Sequence, residues 1–96
     1  MRQKNSFAQK VLKIVSRIPR GKVLTYKEVA QLAGNPRAYR AVGNILHRND
    51  NWKKIPCHRV IRSDGKTGGW RWGKKKKALL LRKEGFKNSF LFLSII

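Results

Sequence analysis

One cysteine, Cys57, stands beside a histidine in Ile55-Pro56-Cys57-His58-Arg59-Val60-Ile61, and this pair is where the sequence can do covalent chemistry. A thiolate is a strong, soft nucleophile, but a free thiol near neutral pH is mostly protonated and needs a base or a positive field. His58 is the adjacent base, and Arg59 with its basic surround favours the anion. Neighbouring side chains on an extended segment point to opposite faces, so His58 is expected to reach Cys57 through a turn or a bridging water. Blander readings compete with this one. A lone cysteine commonly packs as a small core residue. A zinc site is disfavoured, because Cys57 with His47 and His58 falls short of four ligands at known spacings.

A chain of 96 residues has room for one domain with a modest core, and 41% hydrophobic residues are enough to pack it. The charge is lopsided: 24 Lys plus Arg against 4 Asp plus Glu, a formal net charge of +20. Such a surface repels itself unless a polyanion covers it, and nucleic acid is the partner that fits best. An anionic membrane surface is the competing partner, but no long amphipathic basic helix is visible, so no membrane is expected. One cysteine makes no intramolecular disulfide, and Met1 to Lys10 has no apolar h-region. The apolar run Phe90-Leu91-Phe92-Leu93-Ser94-Ile95-Ile96 falls short of the ~20 residues of a membrane span. It reads as a strand or flap over the core. An intracellular protein, cytoplasmic or nucleoid-associated, is expected, as a monomer and one domain over residues 1–96 with an apolar tail at 87–96.

The pair needs elements to hold it. Asn5 or Ser6 can cap a first helix from about Phe7 to Arg17, with Phe7, Val11, Leu12, Ile14, Val15 and Ile18 as its apolar stripe. Pro19-Arg20-Gly21 breaks it, and Lys22-Val23-Leu24 reads as a short strand. Thr25 and Glu28 form a capping box that opens a second helix ending at Gly34. Asn35-Pro36 turns the chain, and Pro36 suits the first position of a third helix running to about His47. Helix, short Gly-containing turn, helix is the helix-turn-helix pattern. Val60-Ile61 looks like a buried strand, Ser63-Asp64-Gly65-Lys66 like a hairpin turn, and Lys74 to Lys77 lead into a last helix stopped by Gly85. The expected fold is mainly α: a winged helix-turn-helix domain with a small β-hairpin wing.

The third helix is unusual for a base reader. Arg37, Arg40 and Arg48 alternate with the small residues Ala38, Ala41 and Gly43, which lets its backbone approach a narrow surface and suits the minor groove. Val42, Ile45 and Leu46 are expected simply to pack on the core. Arg40 remains open between a DNA contact and a solvated surface arginine.

These motifs together resemble the O6-alkylguanine-DNA alkyltransferases, or methylated-DNA–protein-cysteine methyltransferases. Ile55-Pro56-Cys57-His58-Arg59-Val60 is similar to their active-site motif. Thr25-Tyr26 through Ala30 resembles the helix-turn-helix entry, and Gly34-Asn35-Pro36-Arg37-Ala38 its turn. Arg40-Ala41-Val42-Gly43 resembles the minor-groove segment, and Glu84-Gly85 the closing signature. The likeness runs from about Phe7 to Gly85.

The resemblance implies a single-turnover transfer of an alkyl group from O6-alkylguanine in double-stranded DNA to Cys57, without metal or cofactor. By the same resemblance Glu84 orients His58, which deprotonates Cys57 through a water, in the logic of a nucleophile–base–orienter triad. Asn49 braces the active-site turn. Arg40 fills the stack left by the rotated base, and Tyr26 crowds its phosphate and meets the base. Backbone carbonyls around Cys57 and Val60 accept from the guanine amino group. The backbone N–H near Arg71 and the Tyr26 hydroxyl steady the leaving O6, and Trp70 walls the alkyl pocket.

The chain departs from that pattern in three places. The N-terminal domain of most members has no counterpart, Trp70 stands where Tyr is commoner, and Lys53 and Lys54 occupy a loop often more apolar. The tail after Gly85 matches nothing in the family. Two rivals follow. An alkyltransferase-like protein binds the lesion without accepting the group and signals to excision repair, but such proteins carry Trp or Ala where this chain has Cys57. A basic winged-helix architectural protein explains the charge and leaves Cys57, His58, Glu84 and Asn49 without purpose.

Overall fold

A computed structural model describes residues 6–65 and 68–86. In chain order these form α1 (Phe7–Ser16), β1 (Leu24–Thr25), α2 (Tyr26–Leu32), α3 (Tyr39–His47), a 3-10 turn (Cys57–Arg59), β2 (Val60–Ile61) and α4 (Lys74–Lys83). The tail from residue 87 onward lies outside the described residues, so the flap expected of it is left there.

Local chemistry accounts for most boundaries. Ser6 caps α1 reciprocally: its hydroxyl accepts from the Gln9 N–H at 3.1 Å, and the Gln9 side chain accepts from the Ser6 N–H at 2.9 Å. Thr25 and Glu28 repeat the device at the start of α2, at 3.0 and 2.8 Å. Helix α2 stops where Gly34 turns to φ +96°, letting the Asn35 N–H reach the Ala30 carbonyl at 3.0 Å.

One expectation fails here, and another is not met among the described residues. Helix α3 opens at Tyr39 rather than Pro36, because Pro36–Ala38 first closes a turn, with the Ala38 N–H on the Asn35 carbonyl at 3.0 Å. The β-hairpin wing is also absent among the described residues. Strand β2 pairs instead with β1, in parallel, Leu24 beside Val60 and Thr25 beside Ile61. The reverse turn expected near Gly65 does form, with its N–H on the Arg62 carbonyl at 3.0 Å. The returning chain runs through Gly68 at φ +75°, where a Cβ would meet Arg62 Cγ at 3.1 Å. It approaches Arg62 too closely and with the wrong backbone sign to continue a ladder.

The core sits between α1, α2 and α3: Val11, Val15 and Ile18, then Val29, Ala30 and Ala33, then Val42 and Leu46, with Cys57 and Val60 closing it. A smaller cluster joins Ile61 to Ala78 and Leu81 of α4, with Val23 and Phe86 against it. Each fully buried Val or Leu contributes about 1.5–3 kcal/mol. Cys57 thus lies where the large cluster ends and α4 begins. No helix among the described residues is long and apolar enough to cross a membrane.

Candidate functional site

Pro56 makes the local structure of the site. Its ring fixes φ near −74°, and the chain then folds into a single 3-10 turn, with the Arg59 N–H on the Pro56 carbonyl at 2.9 Å. Cys57 and His58 are therefore not on opposite faces of a strand, as extended backbone would place them. Both turn inward, 2% and 1% exposed.

Asn49, just past the C-terminus of α3, ties that helix to the turn. Its amide donates to the Ile55 carbonyl at 2.9 Å and lies 3.4 Å from Cys57 Sγ. The Trp70 indole N–H donates to the same sulfur at 3.1 Å. Trp70 also stands edge-on to Trp52 and His58, with centroids 5.7 and 5.8 Å away, and leans on Trp72 at 5.0 Å.

On the other side, His58 Nε2 meets Glu84 Oε2 at 2.9 Å. Burial pushes the Glu84 carboxyl up, but its hydrogen bonds from Arg59 and His58 outweigh that and hold it below the ordinary carboxylate range. Burial lowers the pKa of His58, against the opposing pull of Glu84. A neutral imidazole beside a carboxylate places its proton on Nε2, so Nδ1 carries the free lone pair. That nitrogen is buried and has no hydrogen-bond partner. Buried polar atoms are almost always partnered, and an orphaned acceptor on the residue next to the cysteine is where a proton can be received through a water.

Arg59 does something other than supply a positive field. Its guanidinium makes two 2.9 Å bonds to Glu84 and one of 2.8 Å to the Ile18 carbonyl, joining the end of α1 to the end of α4. The sequence also concealed Lys77. Expected only to lead into α4, it is completely buried, with Nζ 3.3 Å from both the Tyr26 hydroxyl and the Gly69 carbonyl. Burial lowers its pKa from 10.5 to about 7, the nearby Cys57 pulling the other way. Burial, and then Cys57, raise that of Tyr26. Helical phase held the missing signal, since Lys77, Leu81 and Glu84 follow at i, i+4 and i+7 on one face.

A pocket of about 30 Å³ opens above the sulfur, lined by Tyr26, Gly43, Leu46, His47, Cys57, Gly69, Trp70 and Arg71. It is about the size of one water. A ligand larger than that must displace part of the lining, of which Arg71 is exposed. A larger concavity of about 520 Å³, between α1 and residues 17–24, contains no nucleophile and none of these residues. The expected site residues thus divide. Cys57, Tyr26, Gly43, Trp70 and Arg71 share the pocket, and His58, Glu84 and Asn49 stand behind it. Val60 is core, while Arg40 is exposed and Ala41 half-buried on α3, outside the pocket lining. Among the described residues no three His, Cys, Asp or Glu side chains gather as a metal site.

Fold and site define a small helical domain of helix-turn-helix type, built around a buried cysteine with a histidine–glutamate pair at its back. The chain belongs to the 6-O-methylguanine DNA methyltransferase family and matches its DNA binding domain over residues 6–86. It is 51% identical over 79 residues to the methylated-DNA–protein-cysteine methyltransferase of Methanothermobacter thermautotrophicus, covering 82% of this chain and 44% of that protein. Mycobacterium tuberculosis OGT in complex with DNA superimposes with a TM-score of 0.79 at 39% identity, over 85% of this chain and 50% of that one. Atl1 of S. pombe, in complex with damaged DNA containing O6-carboxymethylguanine, does so with a TM-score of 0.76 at 31% identity, over 92% and 86%. The chain spans 22–44% of the length of four curated relatives that it matches.

Proposed function

We propose that this chain binds double-stranded DNA containing O6-alkylguanine through its helix-turn-helix and takes the alkyl group onto Cys57, once per molecule. The observation that carries this reading is a sulfur held by two N–H donors beside an imidazole whose second nitrogen is buried and free. His58 Nδ1 receives the thiol proton through a water, and Glu84 steadies the imidazolium that results. The sulfur attacks the alkyl carbon, the carbon–O6 bond breaks, and its electron pair stays on guanine. The guanine takes up a proton from the Tyr26 hydroxyl, which Lys77, with a pKa about 7, can replenish. Displacement at a saturated carbon needs no metal or organic cofactor. The thioether does not revert, so the protein is consumed.

In this reading the +20 charge supplies non-specific affinity for the phosphates. Arg40, with Ala41 and Gly43 beside it, enters the minor groove and fills the gap left by the flipped base. The backbone around Cys57, Val60 and Arg71 meets the guanine edge. The turn at residues 62–65 and the return past Gly68 act as a reduced wing.

A second reading has a specific observation behind it. The chain superimposes on S. pombe Atl1, in complex with damaged DNA, with a TM-score of 0.76, close to the 0.79 with M. tuberculosis OGT, so the fold serves equally a protein that binds the lesion without transfer. Intact-protein mass spectrometry after incubation with O6-methylguanine duplex decides between them. Transfer adds one methyl per molecule, on the peptide containing Cys57, with no later turnover. Cys57→Ala binds the lesion at least as well and gains nothing. A wild type that binds but never gains mass would move the protein to the lesion-binding class.

A further inference from the structure

The sulfur has a donor that needs no titration. The Trp70 indole N–H stands 3.1 Å from Cys57 Sγ, closer than the Asn49 amide at 3.4 Å, which is shared with the Ile55 carbonyl at 2.9 Å. Indole is a donor only and keeps its proton throughout the working range, so it can neither take the thiol proton nor compete with His58 for it. A fixed donor favours the thiolate over the thiol, because a charged sulfur accepts far more strongly than a neutral one.

The ring has little freedom to leave. Trp52, His58 and Trp72 surround it within 5.0–5.8 Å between centroids. Its backbone is held on the preceding residue, where Lys77 Nζ binds the Gly69 carbonyl at 3.3 Å. One position earlier, Gly68 packs so close to Arg62 and Tyr26 that a Cβ there would lie 3.1 and 3.4 Å from them.

We infer that Trp70 activates Cys57 through its indole N–H, holding the sulfur as a thiolate and aiming it before any base enters, with Lys77 positioning Trp70 through Gly69. The inference rests on the alkyl-acceptor reading for its purpose, but its test contains no DNA, so the two can fail separately.

The test alkylates the whole protein with iodoacetamide and follows the added mass at Cys57, at pH 7 and at pH 10. Iodide leaves as the sulfur–carbon bond forms, and the rate at pH 10 serves as the reference for the more fully ionised thiol. The ratio of the two rates therefore reports thiolate stabilisation and cancels changes in access. Trp70→Phe keeps the ring and removes the N–H, and it should raise the pH 10 to pH 7 ratio about tenfold. Trp72→Phe disturbs the same cluster without touching sulfur and should leave the ratio within twofold of wild type. Equal ratios in wild type and Trp70→Phe, or equal rises in both variants, overturn the donor role.

Should Trp70→Phe not fold, the unsubstituted protein still answers. It has three tryptophans, and one indole N–H resonance should move with pH in the wild type but not in Cys57→Ala. No resonance tracking the sulfur would equally overturn the inference. A protein that shows the Trp70 dependence yet takes no methyl from DNA would sink the transfer reading alone.

Discussion

Cys57, His58 and Lys77 are nearly or completely buried, whereas Arg37, Arg40 and Arg48, on or beside α3, stand in solvent. The sequence carries four acidic residues, and their positions explain the contrast. Glu28 caps α2, Asp50 is exposed beyond α3, Asp64 pairs with Arg62 at 2.8 Å, and Glu84 stands between His58 and Arg59. Around Cys57, cations and dipoles are matched within the chain. On the α3 side, proposed above to face DNA, the exposed cations are left for a partner to match. A buried charge must be satisfied internally or the fold loses stability, while an exposed arginine costs the fold almost nothing. The same residue type therefore reports on stability in one region and on binding in the other.

Glu84→Gln tests this division most severely. It leaves Arg59 and His58 facing a neutral amide in a dry place, and breaking a buried pair from one side costs roughly 3–5 kcal/mol. The amide can keep one of the bonds, so about 3 kcal/mol is expected, a fall in melting temperature of more than about 10 °C. Methyl transfer should be lost as well. A variant that melts like the wild type would mean that Glu84 orients His58 without holding the fold.

Lys77 offers a pH test of the same region. Its pKa in the folded protein is about 7, against an ordinary 10.5. Between those values the unfolded chain binds a proton that the folded chain does not. Stability therefore rises with pH through this window, and the contribution is lost as pH falls towards 7. The gain is up to about 1.4 kcal/mol per pH unit, so about 2 kcal/mol is expected between pH 7 and 9. Tyr26, whose pKa is raised, acts in the opposite direction, and only above about pH 10. Thermal melts of Lys77→Met over the same range should be flat. If both proteins rise equally with pH, Lys77 is not the group responsible.

Lys77 also marks how far the sequence could be read. The cap of α1, the Thr25–Glu28 capping box, the stop at Gly34 and the stop at Gly85 depend on residues within one helical turn of each other, and their types announce them. The β-sheet does not work that way. Val60 pairs with Leu24, far back along the chain, so Ser63-Asp64-Gly65 was expected to fold β2 onto its successor. Pro56 fixed the backbone before Cys57, yet the 3-10 turn that follows depends on Asn49 and the core to hold it. Cys57 and His58 stand out by residue type alone, whereas Glu84 and Asn49 are legible only through the motif resemblance. That Arg59 also grips Glu84, and that Trp70 reaches the sulfur, needed coordinates.

Arg40→Ala should have the smallest effect on the fold and so completes the comparison. The side chain is exposed on α3, and removing it should change stability by no more than about 0.5 kcal/mol. Its proposed work is done only in duplex, where a base must leave the stack at a cost of a few kcal/mol. Transfer from O6-methylguanine in duplex should therefore slow at least about tenfold, while transfer from the free alkylated base stays unchanged. A simple phosphate contact would also weaken duplex repair, but through affinity, and saturating DNA or lower salt would restore the rate. A filler of the vacated stack behaves differently, because the penalty persists once every protein is bound. Single-turnover rates at saturating duplex separate the two. A rate that recovers to wild type makes Arg40 one more cation on the surface, and equal losses on both substrates would place its effect in the Cys57 region instead.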